Sequence, residues 1–294
     1  MNTINPQHEH QFSWLKAPTE NEIARVVLAE RAGMSELSFS SRVVNLHDGR
    51  FVKRSYRKEL VFTEAMAMEF IRTHTTIPVP RVHMVFVHED CAYIVMDTIP
   101  GQTLQNAASD FSPEACQNYA KQLRAIVDEL GSLSHKLQSD VGISSPELCP
   151  IDSGRKNFYG QWPDKSFADN KLFGFKQTIP TFSSINELLS HILPPGEVLE
   201  LPLDDASTRP VLTHSDLASQ NIMVDTEGNI LGILDWEMFG WYPAFWERMI
   251  VLGRACTRSP KIFDALEGTF GTFELEMERL SEIVVGLAGP MWID

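Results

Sequence analysis

The alternation of apolar and polar positions predicts a first third of the chain that is rich in β-strands. Turn residues such as His47-Asp48-Gly49 separate short runs with the two-residue period of a strand. Two helices are expected around them, over residues 22–32 and from Glu59 to about Thr73, the second composed largely of strong helix formers. The predicted strands are Arg42–Leu46, Arg50–Arg54, Val82–Val87 and Ala92–Asp97.

After Ile99-Pro100-Gly101, which resembles a hinge, the pattern becomes helical. The clearest helix covers residues 112–136, with Ser112 as a capping residue and Pro113 in its first turn. Residues 141–210 show weaker periodicity and one helix candidate at about 182–192, and helices are expected again after residue 243. The long helix places one apolar stripe on a single face: Tyr119, Leu123, Ile126, Leu130 and Leu133.

These elements predict an α+β fold with a small β-rich lobe and a larger, mainly helical lobe. We expect an N-terminal lobe over residues 20–97 and a C-terminal lobe over residues 98–294. A chain of 294 residues is long enough to bury a substantial core in two such lobes.

Composition narrows the possible partners. The formal net charge of −14 argues against binding to nucleic acid, which requires clustered Lys and Arg. The charge is compatible with a cationic substrate, although an acidic surface is more often a solubility feature. Four widely spaced cysteines favour a reducing compartment, and no secretory signal or membrane-spanning run is present, so a cytoplasmic protein is expected.

The polar residues with the clearest chemistry lie around one predicted hairpin. Asn221 precedes the apolar run Ile222-Met-Val224, and Asp235 follows the run Ile230–Leu234. A turn centred between Glu227 and Gly228 would pair Asn221 with Leu234, whereas a turn centred on Gly228 would place Asn221 opposite Asp235. In either register an amide and a carboxylate lie near each other, as oxygen ligands suited to Mg²⁺. An ordinary hairpin with polar ends is the alternative.

The segment His214-Ser-Asp216-Leu-Ala-Ser-Gln-Asn221 resembles the His-x-Asp-x-x-x-x-Asn catalytic loop of kinase-like enzymes. Asp235-Trp-Glu237 stands where protein kinases carry their second metal-binding Asp. The chain is similar to the aminoglycoside phosphotransferase and choline kinase-like family, especially its fungal-type branch. Further matching segments are Ile77-Pro-Val-Pro80, Tyr93-Ile-Val-Met96, Ile99-Pro-Gly101, Gly240-Trp-Tyr-Pro243 and Trp246-Glu247.

The resemblance implies an ATP- and Mg²⁺-dependent transfer of a phosphoryl group to a small-molecule hydroxyl. Asp216 would accept or orient the hydroxyl proton, and Asn221 and Asp235 would hold Mg²⁺ against the nucleotide phosphates. His214 is expected to be a structural residue of the loop rather than a base. A non-catalytic binding protein on the same fold, or a different reaction in the same pocket, are the alternatives.

In the small lobe, Lys53 is the candidate for binding the α- and β-phosphates, with Glu64 as its partner. Glu64 lies on an inward-facing helical stripe, where a carboxylate is costly unless it is paired. Glu59 or Glu69 could be the partner instead. The resemblance adds Met96 and Asp97 to the nucleotide-binding set. The glycine-rich loop of protein kinases is absent, and Ser35, Ser38, Ser40 and Ser41 stand in that region, which leaves GTP open beside ATP.

The acceptor site is expected among aromatic residues near Asp235 and in the segment 141–210. Candidate substrate contacts are Glu237, Trp241, Tyr242 and Trp162, which together could hold a cationic amine. The same wider group contains Trp236, Trp246, Glu247, Phe158, Tyr159 and Phe167. The alternative is that most of these rings belong to the core of the large lobe. Amino alcohols, aminoglycosides and neutral hydroxylated metabolites all fit this pattern.

Overall fold

The computed structural model describes residues 12–32, 41–139, 159–162, 181–201, 204–256, 259–272 and 274–287. The chain divides into two compact units, the first ending at Pro100 and the second beginning at Gly101. The first is mainly a β-sheet with helices, and the second is mainly helical, which is an α+β architecture.

The described part of the first unit contains a four-stranded antiparallel sheet in the order β1-β2-β4-β3. The predicted strands are found with ends shifted by at most one residue. The elements are α1 (Glu20–Ala32), β1 (Ser41–Asn45), β2 (Arg50–Ser55), α2 (Lys58–His74), β3 (Val82–His88) and β4 (Cys91–Asp97).

The central strand β4 is buried along almost its whole length. Both of its faces are covered, so its sequence is continuously apolar and does not alternate with polar residues. Ile94 and Val95 are fully buried, and the ring of Tyr93 stacks on Phe86 with 4.9 Å between ring centroids. Helix α2 packs against β3 and β4. Helix α1 is joined to the sheet by an ion pair between Glu30 Oε1 and Arg54 Nε at 3.1 Å. The core of the first unit is therefore formed by helices packed against one sheet.

The second unit combines helices with two small three-stranded sheets, ordered β6-β10-β7 and β5-β8-β9. None of its described helices, nor those of the first unit, is long and apolar enough to cross a membrane. Its elements are β5 (Gln102–Thr103), α3 (Leu104–Ala107), α4 (Pro113–Ser139), β6 (Gly160–Gln161), α5 (Ile185–Ile192), α6 (Asp205–Thr208), β7 (Pro210–Thr213), β8 (Ile222–Val224), β9 (Ile230–Ile233), β10 (Gly240–Pro243), α7 (Trp246–Cys256), α8 (Pro260–Phe270) and α9 (Leu275–Leu287).

Helix α4 is the long helix expected from the apolar stripe. Ser112 Oγ accepts the backbone N–H of Ala115 at 3.2 Å, which satisfies one of the free donors at the helix start. The helix packs against β7 and α8. Every residue of the predicted stripe is buried: Tyr119, Leu123, Ile126, Leu130 and Leu133.

The turn of the β8–β9 hairpin is fixed on α4 by a network of hydrogen bonds. Asn229 donates its backbone N–H to Asp225 Oδ1 at 2.8 Å and its side-chain Nδ2 to Asp225 Oδ2 at 2.7 Å. From α4, Asn118 Nδ2 donates to Asn229 Oδ1 at 3.0 Å, and Gln122 Nε2 donates to the carbonyl of Gly228 at 3.2 Å. The turn cannot slide along the helix without breaking several of these bonds.

Gly228 is required at this turn for two reasons. Its φ of +75° lies in the left-handed region, which costs energy for residues with a Cβ atom. A Cβ atom at this position would also lie 2.2 Å from the backbone oxygen of Ala115 in α4. The close approach of turn and helix therefore depends on the missing side chain.

We expect Gly228→Ala to lower the free energy of unfolding by about 2–4 kcal/mol, since it adds backbone strain and a steric clash. The matched control is Gly131→Ala within α4, where an added Cβ would meet open space. There the higher helix propensity of Ala should raise stability by up to about 1 kcal/mol. Chemical denaturation of both variants measures the difference, and equal effects would contradict this account of the turn.

Candidate active site

His214 follows β7 directly and connects it to the end of β9. Its Nε2 lies 2.9 Å from the carbonyl oxygen of Leu234, and because a carbonyl can only accept, Nε2 carries the proton. Its Nδ1 accepts the backbone N–H of Asp216 at 3.2 Å. The ring also lies against Trp236, with 4.5 Å between ring centroids. Both nitrogens hold the loop in place, which supports a structural role for His214.

Ser215 has a strained backbone that the first turn of α7 holds on two sides. Its φ of +66° is uncommon for a residue other than glycine. Trp246 Nε1 donates to Ser215 Oγ at 2.9 Å, and the backbone N–H of Ser215 donates to Glu247 Oε2 at 3.1 Å. These contacts offset the strain and fix the backbone conformation immediately before Asp216.

The carboxyl group of Glu247 lies in the interior of the second unit. Its burial raises the pKa of Glu247 to about 7, because the ionised form loses its hydration. The backbone N–H groups of Ser215 and His214 oppose this rise, the carboxylate of Asp216 adds to it, and the guanidinium of Arg254 opposes it. The group that supports the loop therefore changes its charge near neutral pH.

Asp216 is 7% exposed, and its carboxylate contacts two other side chains. Nη2 of Arg254, in α7, lies 2.5 Å from Asp216 Oδ1. Asn221 Nδ2 donates to the Asp216 carbonyl at 2.9 Å and approaches Asp216 Oδ2 at 3.3 Å. Pairing with Arg254 relieves the cost of burying this charge.

The β8–β9 hairpin adopts the first of the two registers considered from the sequence. Ile222 pairs with Ile233, and the N–H of Leu234 donates to the carbonyl of Asn221 at 2.8 Å. Asn221 is therefore opposite Leu234, and Asp235 lies one residue further on. An irregularity in the pairing next to Val224 absorbs the difference in strand length.

Asp235 leaves the strand through a left-handed backbone conformation, with a φ of +63°. Aspartate tolerates this region better than most residues. The following 3₁₀ turn, Trp236–Met238, is anchored by Trp236 Nε1, which donates to the carbonyl of Ile233 at 3.0 Å. Asp235 thus occupies a defined position at the open end of the hairpin and is half-buried.

The donor set of Asn221 and Asp235 fits a hard cation such as Mg²⁺. Both contacts of Asn221 Nδ2 are to atoms of Asp216 that accept, which assigns the amide orientation. The amide oxygen is then the atom that Asn221 can offer to a cation, and Asp235 adds a carboxylate. Mg²⁺ prefers oxygen ligands and needs only one or two from the protein.

In the first unit, the ion pair between Lys53 and Glu64 is present. Lys53 Nζ lies 2.7 Å from Glu64 Oε2, and the two side chains are 8% and 2% exposed. Glu69, one of the alternative partners, pairs with Arg72 instead. Glu64 is the partner because its position on α2 faces the sheet.

The other residues assigned to the nucleotide lie at the end of β4. Met96 is buried at 8% exposure, and the backbone of β4 pairs it with Phe51. Asp97 Oδ1 lies 2.6 Å from His83 Nε2. Of the serines in the place of a glycine-rich loop, Ser35, Ser38 and Ser40 lie outside the described residues, and so does the side chain of Ser41.

The residues suggested for the acceptor are largely internal to the second unit. Trp241 and Tyr242 are 2% and 0% exposed, and Tyr242 stacks on Trp246 with 5.2 Å between ring centroids. Trp162 and Glu237 are 6% and 5% exposed. The exposure of Trp162 and Glu237 is close to that of Asp216 and Asn221, which are 7% and 6% exposed, so the four acceptor candidates stay predicted substrate contacts. Phe158 and Phe167 lie outside the described residues.

Sequence reasoning missed Arg254 and the supporting role of Glu247. Glu247 carried a usable signal, because it falls among Trp246, Met249 and Ile250 on a buried helix, where a carboxylate needs donors. Arg254 carried none, since only folding brings it to Asp216.

We expect Lys53→Met to lower the free energy of unfolding by about 3–5 kcal/mol, because it removes the ion pair between Lys53 and the buried carboxylate of Glu64. The double variant Lys53→Met/Glu64→Leu should recover most of this loss. As a control, Arg72→Met removes the more exposed pair with Glu69 and should cost less than about 1 kcal/mol. Denaturant unfolding of wild type and the three variants measures these changes. Equal losses of stability in Lys53→Met and Arg72→Met would contradict the role of burial.

We expect Glu247 to make the protein less stable as the pH rises from about 4.5 to about 7. In this window the folded state keeps a proton that the unfolded state has released, so the free energy of unfolding falls with pH and then levels off. Glu247→Gln should remove this decline, which is on the order of 3 kcal/mol. Unfolding curves from pH 5 to 8, with the exposed Glu227→Gln as control, measure it. Parallel profiles for wild type and Glu247→Gln would refute the assignment.

A curated relative is a protein of a biosynthetic gene cluster. The chain is 27% identical over 213 residues to Clavilactone A biosynthesis cluster protein Y of Ampulloclitocybe clavipes. The match covers 66% of this chain and 53% of the relative, so the chain spans about half the length of the curated relative it matches.

Solved structures of aminoglycoside phosphotransferases have a similar fold. APH(3'')-Id from Streptomyces rimosus superimposes with a TM-score of 0.55 at 16% identity, covering 91% of this chain and 98% of that one. APH(4)-Ia superimposes with a TM-score of 0.54 at 14% identity, covering 86% and 82%. At such low identity the likeness shows the fold alone, which is the protein-kinase-like α+β fold with a β-rich N-terminal and a mainly helical C-terminal lobe.

A family model described as "Phosphotransferase enzyme family" matches residues 35–282, which is most of the chain. The match includes Lys53, Glu64, Asp216, Asn221 and Asp235. The chain therefore belongs to this phosphotransferase family, as its sequence motifs indicated.

Proposed function

We propose that this protein transfers the γ-phosphoryl group of ATP to a hydroxyl group of a small molecule, with Mg²⁺ as cofactor. The observation that carries the proposal is the arrangement around Asp216. Asn221 is bonded to Asp216, and the hairpin register holds Asp235 one residue beyond the partner of Asn221. The proposed proton acceptor and the two proposed oxygen ligands therefore lie on one loop and one hairpin of the second unit. This is the set of groups that phosphoryl transfer needs.

Asp216 is the proposed catalytic residue. Its carboxylate would orient the acceptor hydroxyl and take its proton as the oxygen attacks the γ-phosphorus. The new bond is between the acceptor oxygen and the γ-phosphorus, and the bond from that phosphorus to the β–γ bridging oxygen breaks. ADP leaves, and the proton is passed from Asp216 to water.

Asn221 and Asp235 are the proposed metal ligands, and Lys53 is the proposed phosphate-binding residue. Bound Mg²⁺ would supply charge neutralisation at the nucleotide phosphates. Lys53 would add a further positive charge, with its ammonium group held by Glu64. On this proposal residues 20–97 form the nucleotide-binding lobe, including Met96 and Asp97, and residues 98–294 form the catalytic and substrate-binding lobe.

Complexes of the structural neighbours support a nucleotide as phosphoryl donor. One structure of APH(4)-Ia is a ternary complex with ADP and hygromycin B, and another contains AMP-PNP and hygromycin B. APH(3'')-Id has been solved with ADP and streptomycin. ATP is accordingly the first donor to test, with GTP beside it.

We expect nucleotide consumption to depend on Asp216 and on Mg²⁺. Wild-type protein is assayed with ATP or GTP over amino alcohols, aminoglycosides and hydroxylated metabolites, and product masses identify the phosphorylated acceptor. Asp216→Asn should lower the rate by about 10²- to 10⁴-fold, because the proton acceptor is lost. Asp128→Asn, an exposed change on α4, is the matched control and should leave the rate unaltered.

Undiminished turnover in Asp216→Asn would overturn the role of this residue. The main alternative is a non-catalytic binding protein, which would bind Mg²⁺ and ATP but yield no phosphorylated product with any acceptor. A product lacking the added mass of a phosphoryl group would instead indicate a different reaction.

A further inference from the structure

A cavity of about 240 Å³ in the second unit is lined by Arg254, the ion-pair partner of Asp216, and by residues next to Asp216 in the chain. Leu217 and Ser219, which follow Asp216 in the chain, form part of its wall. Much of the rest is apolar and comes from several helices, including Leu104, Tyr119, Val251, Ile262 and Leu266. A pocket of this kind binds a ligand mainly through its apolar body and selects it through a few polar groups.

Arg254 is the only charged residue among the described residues that line the cavity. Tyr119, the other titratable group, stays neutral because burial raises its pKa. Ser219 Oγ is buried and has no hydrogen-bond partner among the described residues, so it adds a polar group to the same wall. The wall is therefore mainly apolar and carries one guanidinium, which is paired with the carboxylate of Asp216.

The position of Arg254 affects which charged group an acceptor can carry. Its Nη2 is 2.5 Å from Asp216 Oδ1, so the cation lies directly beside the proposed catalytic carboxylate. The guanidinium neutralises the Asp216 carboxylate, which weakens the attraction of that carboxylate for a cationic amine. A guanidinium carries five N–H donors and can contact a second carboxylate beside Asp216.

We propose that the acceptor of this enzyme is a small hydroxy carboxylate with a largely apolar body, and that Arg254 binds its carboxylate. This inference rests on the proposed phosphotransferase function and names its substrate class. The hydroxyl receives the phosphoryl group as described above, and the carboxylate is unchanged by the reaction. The volume fits a small acceptor, because pockets for drug-sized ligands measure about 300–1,000 Å³.

Direct binding without nucleotide tests the charge preference. The carboxylate probes are lactate, 2-hydroxyisocaproate and 3-phenyllactate, and the comparison probes are methyl 3-phenyllactate and the amino alcohol phenylalaninol. Titration calorimetry on the full chain should show the best carboxylate binding about 10- to 100-fold more tightly than the ester, because a charge-assisted hydrogen bond is lost in the ester. The amino alcohol should bind most weakly.

Three variants test whether the preference for carboxylates arises in this cavity. Arg254→Gln should lower carboxylate affinity by about 10- to 100-fold and leave the affinity for the ester unchanged. Arg279→Gln removes the same charge from an exposed position on α9 and should change neither. Ala255→Phe fills the cavity while Arg254 is retained, so it provides an independent test if Arg254→Gln does not fold. Circular dichroism establishes folding of each variant.

Three results would overturn the inference: tighter binding of phenylalaninol than of 3-phenyllactate, no binding of any carboxylate at about 10 mM, or an unchanged response in a folded variant. An unchanged response means an unchanged carboxylate preference in Arg254→Gln or an unchanged carboxylate affinity in Ala255→Phe. Failure of the proposed function is recognised separately. A protein that phosphorylates amino alcohols but not carboxylates would retain that function and refute this inference. A protein that binds carboxylates through Arg254 without any nucleotide turnover would retain the carboxylate site and refute the proposed function.

Discussion

The arrangement of the candidate active site depends on the register of the β8–β9 hairpin. A shift of one residue would exchange the two faces of the short strands and would move Asp235 relative to Asn221. The register is held at both ends. At the turn, hydrogen bonds from Asn118 and Gln122 tie the hairpin to the long helix α4. At the open end, His214 bonds to the carbonyl of Leu234.

The loop that carries Asp216 is supported from a second direction by α7. Trp246 and Glu247 hold the side chain and the backbone of Ser215, and Arg254, two turns further along the helix, contacts the carboxylate of Asp216. One helix therefore sets both the backbone conformation of the loop and the charge around its reactive group. Changes in this helix are therefore expected to affect both the stability of the second unit and its proposed chemistry.

Periodicity predicted the elements of the fold, and the motifs predicted that Asp216 and Asn221 lie together at the open end of the hairpin. The apolar stripe of α4 was readable because burial on one helix face imposes a regular spacing. The hairpin register was not, because it follows from how the turn docks on α4, and strand patterns alone allowed two solutions. Arg254 was unpredictable for a related reason: its contact with Asp216 joins residues 38 positions apart in sequence. The aromatic residues near Asp235 suggested ligand contacts, whereas packing places Trp241 and Tyr242 in the interior.

The buried carboxyl group of Glu247 also links folding to the composition of the solvent. Between the pKa of about 4.5 for an ordinary glutamate and its own pKa of about 7, the chain takes up a proton at this position when it folds. The heat measured for unfolding in that range therefore includes the ionisation heat of the buffer, which receives the released proton. Buffers with different ionisation enthalpies would give different apparent unfolding enthalpies for the same molecule. The slope of one enthalpy against the other is the number of protons that the chain releases when it unfolds.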